Sequence, residues 1–179
     1  SKVGSPRWRD AWDWGLFVCG AVPALVFGIA FGNLLLGLPF HFDRDLQTYY
    51  TGSFIALLNP FGLLAGVVSL AMLTMHGAAY LQLRTEGEIH ARAGRALRIA
   101  AVVVIAAFAL AGIWISAGID GYRIVSMPPA DSAFTPLAKT VERAPGAWLA
   151  NYSAHPRTTA APVPGVAGAL LAILWSRAG

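Results

Sequence analysis

Four long stretches of the chain hold no Asp, Glu, Lys or Arg: Trp14–Phe42, Leu46–Leu83, Ile99–Ile119 and Thr158–Ser176. Charges are confined to short bursts between them. Each stretch can hold the helix of about 20 residues that a hydrocarbon layer of roughly 30 Å requires. The pattern predicts an all-α, polytopic transmembrane helical bundle, with spans near residues 14–37, 58–83, 98–120 and 160–177 of one domain covering 1–179. Asn59-Pro60 reads as a helix start. An Asn side chain accepts from the first free N–H groups, and Pro at the first helical position lacks only a donor that would go unpaired. Asp120-Gly121 reads as the end of the third span, the glycine taking a left-handed cap. The longest connection, 121–158, carries Pro128, Pro129, Pro136, Pro145 and Pro156 and is expected to be mostly irregular. Its Trp148 and Tyr152 are expected to lie back on the membrane surface.

Composition sharpens this picture. Of 179 residues, 56% are hydrophobic and 12% charged, about half the charge of an average soluble domain. Mean hydropathy is +0.59. A soluble chain of this length has no core large enough for four such helices. The single cysteine, Cys19, excludes a disulfide framework and a Cys-rich metal site. The net charge of +4 does not point to nucleic acid, because the basic residues gather at the ends of apolar runs rather than in a stripe. Lys2, Arg7, Arg9, Arg84, Arg92, Arg95, Arg98 and Arg177 fall on one side of the predicted membrane. Arg44, Arg123, Lys139, Arg143 and Arg157 fall on the other. The first side is therefore expected to be cytoplasmic, with both chain ends there and the long connection outside, in the periplasm. The first apolar run is too long for a signal peptide. With no initiator Met and an end close behind the fourth apolar run, the chain is expected to be a piece of a longer protein.

Few residues suggest chemistry. Gly28-x-x-x-Gly32 and Gly62-x-x-x-Gly66, extended by Ala30, Ala65 and Ser69, suit close approach of helices, within the chain or to another subunit. His76 is the one histidine expected at membrane depth. Met72 lies on the same helix and cannot reach the far face of a haem, so a polar role facing the bundle interior is expected, with no metal. Asp13, between Trp12 and Trp14 at the mouth of span one, is a candidate to hold and pass a proton. Burial by the two indoles would demand a partner, an Arg or a backbone N–H. The plain alternative is a helix-start carboxylate favoured by the helix dipole. Arg84 and Glu88 have the spacing of a surface ion pair on one helix. No catalytic set, cofactor loop or metal cluster is legible. A piece of a solute transporter is the rival reading, disfavoured because spans one and three carry no internal charge.

A series of motifs then carries a resemblance. Trp8-Arg9-x-x-Trp12-Asp13-Trp14-Gly15, Phe31-Gly32-Asn33-Leu34-Leu35 and Tyr49-Tyr50-Thr51-Gly52 come first. The run from Leu57-Leu58-Asn59-Pro60-Phe61-Gly62 to Ser69 follows, then Tyr80-Leu81-Gln82-x-Arg84-Thr85-x-Gly87-Glu88. Ala111-Gly112-x-Trp114, Gly118-Ile119-Asp120-Gly121-Tyr122 and Gly146-Ala147-Trp148-Leu149 complete it. In this order they resemble the middle of subunit II of cytochrome bd-type quinol oxidases. The resemblance implies a subunit that ligates no haem itself and supports a subunit I holding haem b and haem d. The complex would oxidise quinol and reduce oxygen to water in the bacterial cytoplasmic membrane. Within that frame this chain would help line oxygen or proton access, Asp13 being the matched acidic position.

Overall fold

The computed structural model describes residues 6–129, 131 and 139–178. Four helices are long and apolar enough to cross a membrane. Helix α1 (Pro6–Leu36) is followed by a small antiparallel hairpin, β1 (Phe40–Phe42) with β2 (Thr48–Tyr50), and a 3-10 turn at Ile55–Leu58. Helices α2 (Pro60–Arg84) and α3 (Gly87–Gly118) come next. A second hairpin pairs β3 (Gly121–Ser126) with β4 (Thr140–Ala144), and a 3-10 turn at Ala147–Leu149 leads into the short α4 (Ala150–Ala154). A further 3-10 turn at Pro156–Ala160 precedes α5 (Val163–Ala178). The architecture is a polytopic helical bundle in which α2 packs on α1 and α3, and α5 packs on α3.

The core is built from small residues. Ala24, Gly28, Ile29, Gly32 and Asn33 form the buried stripe of α1. Phe61, Gly62, Gly66, Ala71 and Ala78 are buried on α2, and Ala93, Gly94, Leu97, Ala100, Ala101 and Ala107 on α3. Without water to drive apolar groups together, membrane helices gain most from close backbone approach, which favours such residues.

Two helices start well before their apolar runs. Helix α1 begins at Pro6, so Trp8 and Trp12 ride on the helix rather than on a strand of chain leading into it. Helix α3 begins at Gly87 and carries Glu88, Arg92, Arg95 and Arg98 in its first turns. A charge-free run marks membrane depth, whereas the helix continues into the headgroup layer, where charged side chains are solvated. Only Thr85 and Glu86 separate α2 from α3. Arg84 and Glu88 therefore sit on different helices, and the expected ion pair along one helix is not what the fold uses. The Arg84 guanidinium instead lies 5.9 Å from the Tyr80 ring centre.

The long connection departs from the irregular course expected of it. Its β3 segment is rich in Tyr, Ile and Val, types that favour strands. Pro128, Pro129, Pro145 and Pro156 all fall outside the two strands, so no ladder hydrogen bond is lost to them, while Pro136 lies outside the described residues. Gly121 is not a left-handed cap. The chain leaves α3 through an extended Ile119, and Gly121 opens β3. A glycine is needed there because an added Cβ would press on the backbone nitrogen of Trp148 and lie 2.8 Å from the Ala147 carbonyl carbon.

Candidate functional site

Asn59 caps α2 as its sequence position predicts, its Oδ1 accepting from the Gly62 N–H at 2.7 Å. The cap is also one end of a buried polar network. Asn59 Nδ2 donates to Asn33 Oδ1 at 2.8 Å, and Asn33 Nδ2 donates to the carbonyls of Leu57 (2.7 Å) and Ile29 (2.8 Å). Asn33 is only 6% exposed. Sequence reasoning had no role for it, although a lone carboxamide in the apolar run Phe17–Leu36 is the available signal.

The same face of α1 holds the glycine motifs. A Cβ on Gly28 would meet the Ala65 carbonyl oxygen, lie 2.6 Å from the Gly66 Cα and 2.7 Å from the Ser69 Cβ. One on Gly32 would lie 2.9 Å from the Ala65 Cβ and 3.0 Å from the Gly62 Cα. From the other side, Gly62 faces Asn33, and Gly66 faces Ile29 and the Leu25 carbonyl, each at 3.0 Å from an added Cβ. Gly28, Gly32, Gly62 and Gly66 thus meet one another at the α1–α2 seam within this chain.

Asp13 is a correction. It lies two turns inside α1, beyond the first turn to which a helix dipole reaches. Its carboxylate is exposed rather than walled in, because Trp12 and Trp14 are themselves 61% and 67% exposed and point outward. The ring of Trp14 packs edge-on against Phe17, one turn further on, instead of covering the carboxylate. Among the described residues Asp13 makes no hydrogen bond and no ion pair, so the expected Arg or N–H partner is not supplied there.

His76 is a second correction. It is exposed on the outward face of α2, not turned into the bundle. The inward faces of α2 meet α1 and α3 through Gly62, Gly66, Ala71 and Ala78, where no imidazole fits. The other histidines are elsewhere: His41 in β1, His155 between α4 and the last 3-10 turn, and His90 at the α2–α3 elbow. His90 is committed to the fold, its Nδ1 lying 3.0 Å from the Gln82 carbonyl oxygen and 3.2 Å from that of Thr85. An Nδ1–H donor there satisfies the free carbonyls at the end of α2. No group of three or more His, Cys, Asp or Glu is placed to hold a metal among the described residues.

Two further contacts tie distant elements together. Arg98 Nη1 donates to the Ser176 carbonyl at 2.9 Å, anchoring the end of α5 on α3. On the opposite side of the bundle, the Tyr122 hydroxyl (3.0 Å) and Arg143 Nη2 (3.3 Å) both donate to the Leu36 carbonyl at the end of α1.

Fold and site together define a class: a multi-helix membrane protein whose described polar groups join its helices. The sequence profile of the cytochrome bd terminal oxidase subunit II family matches residues 1–179. The chain is 52% identical over 177 residues to cytochrome bd-I ubiquinol oxidase subunit 2 of Escherichia coli (strain K12), covering 99% of this chain and 47% of that protein. It is 47% identical over 178 residues to the probable cytochrome oxidase subunit 2 of Haemophilus influenzae (99% and 47% covered). To the cytochrome bd ubiquinol oxidase subunit 2 of Bacillus subtilis (strain 168) it is 30% identical over 113 residues, 63% and 32% covered. The chain belongs to the cytochrome bd terminal oxidase subunit II family. It spans about half the length of the relatives it matches. Family membership sets the solute-transporter reading aside.

Proposed function

We propose that the chain serves in a respiratory terminal oxidase that oxidises quinol and reduces oxygen to water, as part of a subunit that ligates no haem. Haem b and haem d belong to its partner, subunit I. The observation that carries this reading is the family match along the whole chain. The outward face of α2 supports a protein partner: an ionisable side chain in a membrane span faces protein or a watery cavity rather than lipid, and His76 is exposed there. The excess of Lys and Arg near Arg7, Arg84 and Arg98 supports a cytoplasmic location for both ends and a periplasmic one for the two hairpins.

Asp13 belongs in this proposal as a carboxylate on the cytoplasmic approach to the membrane, open to a partner residue or to water and suited to passing protons. Asp13→Asn in the intact oxidase tests it, since the substitution keeps the shape and removes the charge. Quinol-driven oxygen consumption is expected to fall by about a hundredfold, the lower range for a positioned proton-transfer group, or the haem spectrum to weaken. Unchanged turnover with unchanged haem content would leave Asp13 without a part in the oxidase. Absence of any haem-bearing subunit from the purified complex would end the oxidase reading itself.

A further inference from the structure

A furrow runs along one face of the α2–α3 pair, and every residue that lines it comes from these two helices. It consists of two adjoining cavities, of about 490 Å³ and 390 Å³, that share Thr74 and Ala96. On α2 the lining positions run from Val67 to Leu81, and on α3 from Ile89 to Val103. On both helices they recur at the spacing of three and four that marks a single face. The furrow is therefore a property of one helical hairpin, whose arms are joined by Thr85 and Glu86 alone.

Two of the lining residues are polar. Thr74 is turned back on its own helix, its Oγ1 donating to the Leu70 carbonyl at 2.8 Å. The other is Arg92, the one charged residue in the furrow, at the end nearer the elbow. The neighbouring arginines are engaged within the chain: Arg84 lies over the Tyr80 ring, and Arg98 donates to the Ser176 carbonyl. Arg92 has no hydrogen bond and no ion pair among the described residues. Glu88 stands one turn before it on α3 and does not pair with it. An arginine in the headgroup layer thus heads a trough whose remaining walls are apolar.

The length of the trough is informative. From Leu81 to Val67 it extends about 21 Å at 1.5 Å per residue. One half of a bilayer, headgroup layer included, is about 20–22 Å deep. We propose that the furrow binds one anionic glycerophospholipid, with its phosphate on the Arg92 guanidinium and an acyl chain lying toward Val103. The occupant must bring negative charge to one end and hydrocarbon over the depth of one leaflet, which is the build of such a lipid. Basic positions between membrane helices suit anionic headgroups on the same electrostatic ground. A partner helix would cross both leaflets, whereas the two cavities end after one.

The test uses the intact protein with everything that copurifies, delipidated in detergent and titrated with phosphatidylglycerol or phosphatidylcholine under native mass spectrometry. Wild type is expected to bind one phosphatidylglycerol in preference to phosphatidylcholine. Arg92→Gln keeps a side chain of similar reach without the charge. It should lower phosphatidylglycerol affinity about fivefold, the factor for about 1 kcal/mol per arginine at an anionic lipid, and leave phosphatidylcholine unaffected. Gly77→Leu fills the cavity beside Arg92 from a position where an added Cβ meets nothing within 4 Å, so the fold tolerates it. It should abolish binding of that one lipid. Unchanged phosphatidylglycerol binding in either variant would overturn the proposal. So would an Arg92→Gln complex that sheds a protein subunit with its bound lipid unaltered, since the guanidinium would then serve a protein carboxylate. Should Gly77→Leu fail to accumulate, Arg92→Gln decides alone.

Discussion

Helices α1 and α2 and helices α3 and α5 are joined in opposite ways. The first pair meets along a line of glycines at backbone contact distance, closed at one end by the Asn33–Asn59 network. In the second pair α5 buries Ala169 and Ser176, and it is tied at one end by Arg98 to the Ser176 carbonyl. Only 6% of the apolar window of the last span is buried within the chain, against 22% for α1. The first contact defines one geometry because neither backbone can shift without a clash. The second is a hinge-like attachment that leaves most of α5 free to meet other protein or lipid. The bundle thus has a rigid half and an accommodating half.

The largest effect should come from breaking the seam of the rigid half. Gly28→Leu would drive a side chain into the Ala65 carbonyl and Ser69, and backbone cannot retreat as a side-chain tip can. A loss of about 3 kcal/mol or more is expected, at the upper end for overpacking, read as failure to accumulate in membranes or a collapsed melting temperature in detergent. Asn33→Leu comes next, with about 1–2 kcal/mol for interhelical hydrogen bonds lost inside the membrane. A double-mutant cycle with Asn59→Ala should show the two losses to be non-additive, because both residues share one bond. Additive losses would mean that the network is not a unit.

In the accommodating half the expected effects are smaller. Arg98→Met should cost about 1 kcal/mol, the worth of a cation at a helix C-terminus. Its signature is local: faster hydrogen exchange over the last turns of α5 with the α1–α2 seam unaffected. Faster exchange in both halves would erase the distinction drawn between them. The smallest effect is expected for Tyr122→Phe, which removes two exposed hydrogen bonds, one donated to the Leu36 carbonyl and one accepted from Arg143, while Arg143 keeps its own bond to Leu36, for a loss of about 0.5–1 kcal/mol. Protease sensitivity of the β3–β4 hairpin is the suitable probe.

Much of this was legible in the sequence. Charge-free runs located four helices, because each must satisfy its backbone within the bilayer. Asn59-Pro60 marked a helix start through chemistry that is local to three residues. The early starts of α1 and α3 were not legible, because a run without charge reports membrane depth and not helicity. The hairpin in the long connection was hidden behind its prolines, which turned out to frame the strands instead of interrupting them. His76 and Asp13 were misplaced for a related reason. Composition tells which residues a span contains, but the direction each one faces depends on which neighbours are small enough to pack. On α2 that choice fell to glycine and alanine, and the imidazole was left on the outside.

The carbonyl of Leu36 receives donors from Tyr122 and Arg143, 86 and 107 residues further along the chain. During synthesis that contact cannot form when α1 is made. It requires that α2 and α3 be threaded back and forth, and that the β3–β4 hairpin reach the same side as the end of α1. An inverted or skipped span would leave the hairpin on the wrong face, with the Leu36 carbonyl without its two donors. The clasp therefore forms only on chains whose first three helices have been inserted in the correct alternation. It is thus a contact that reports the alternation of the first three helices.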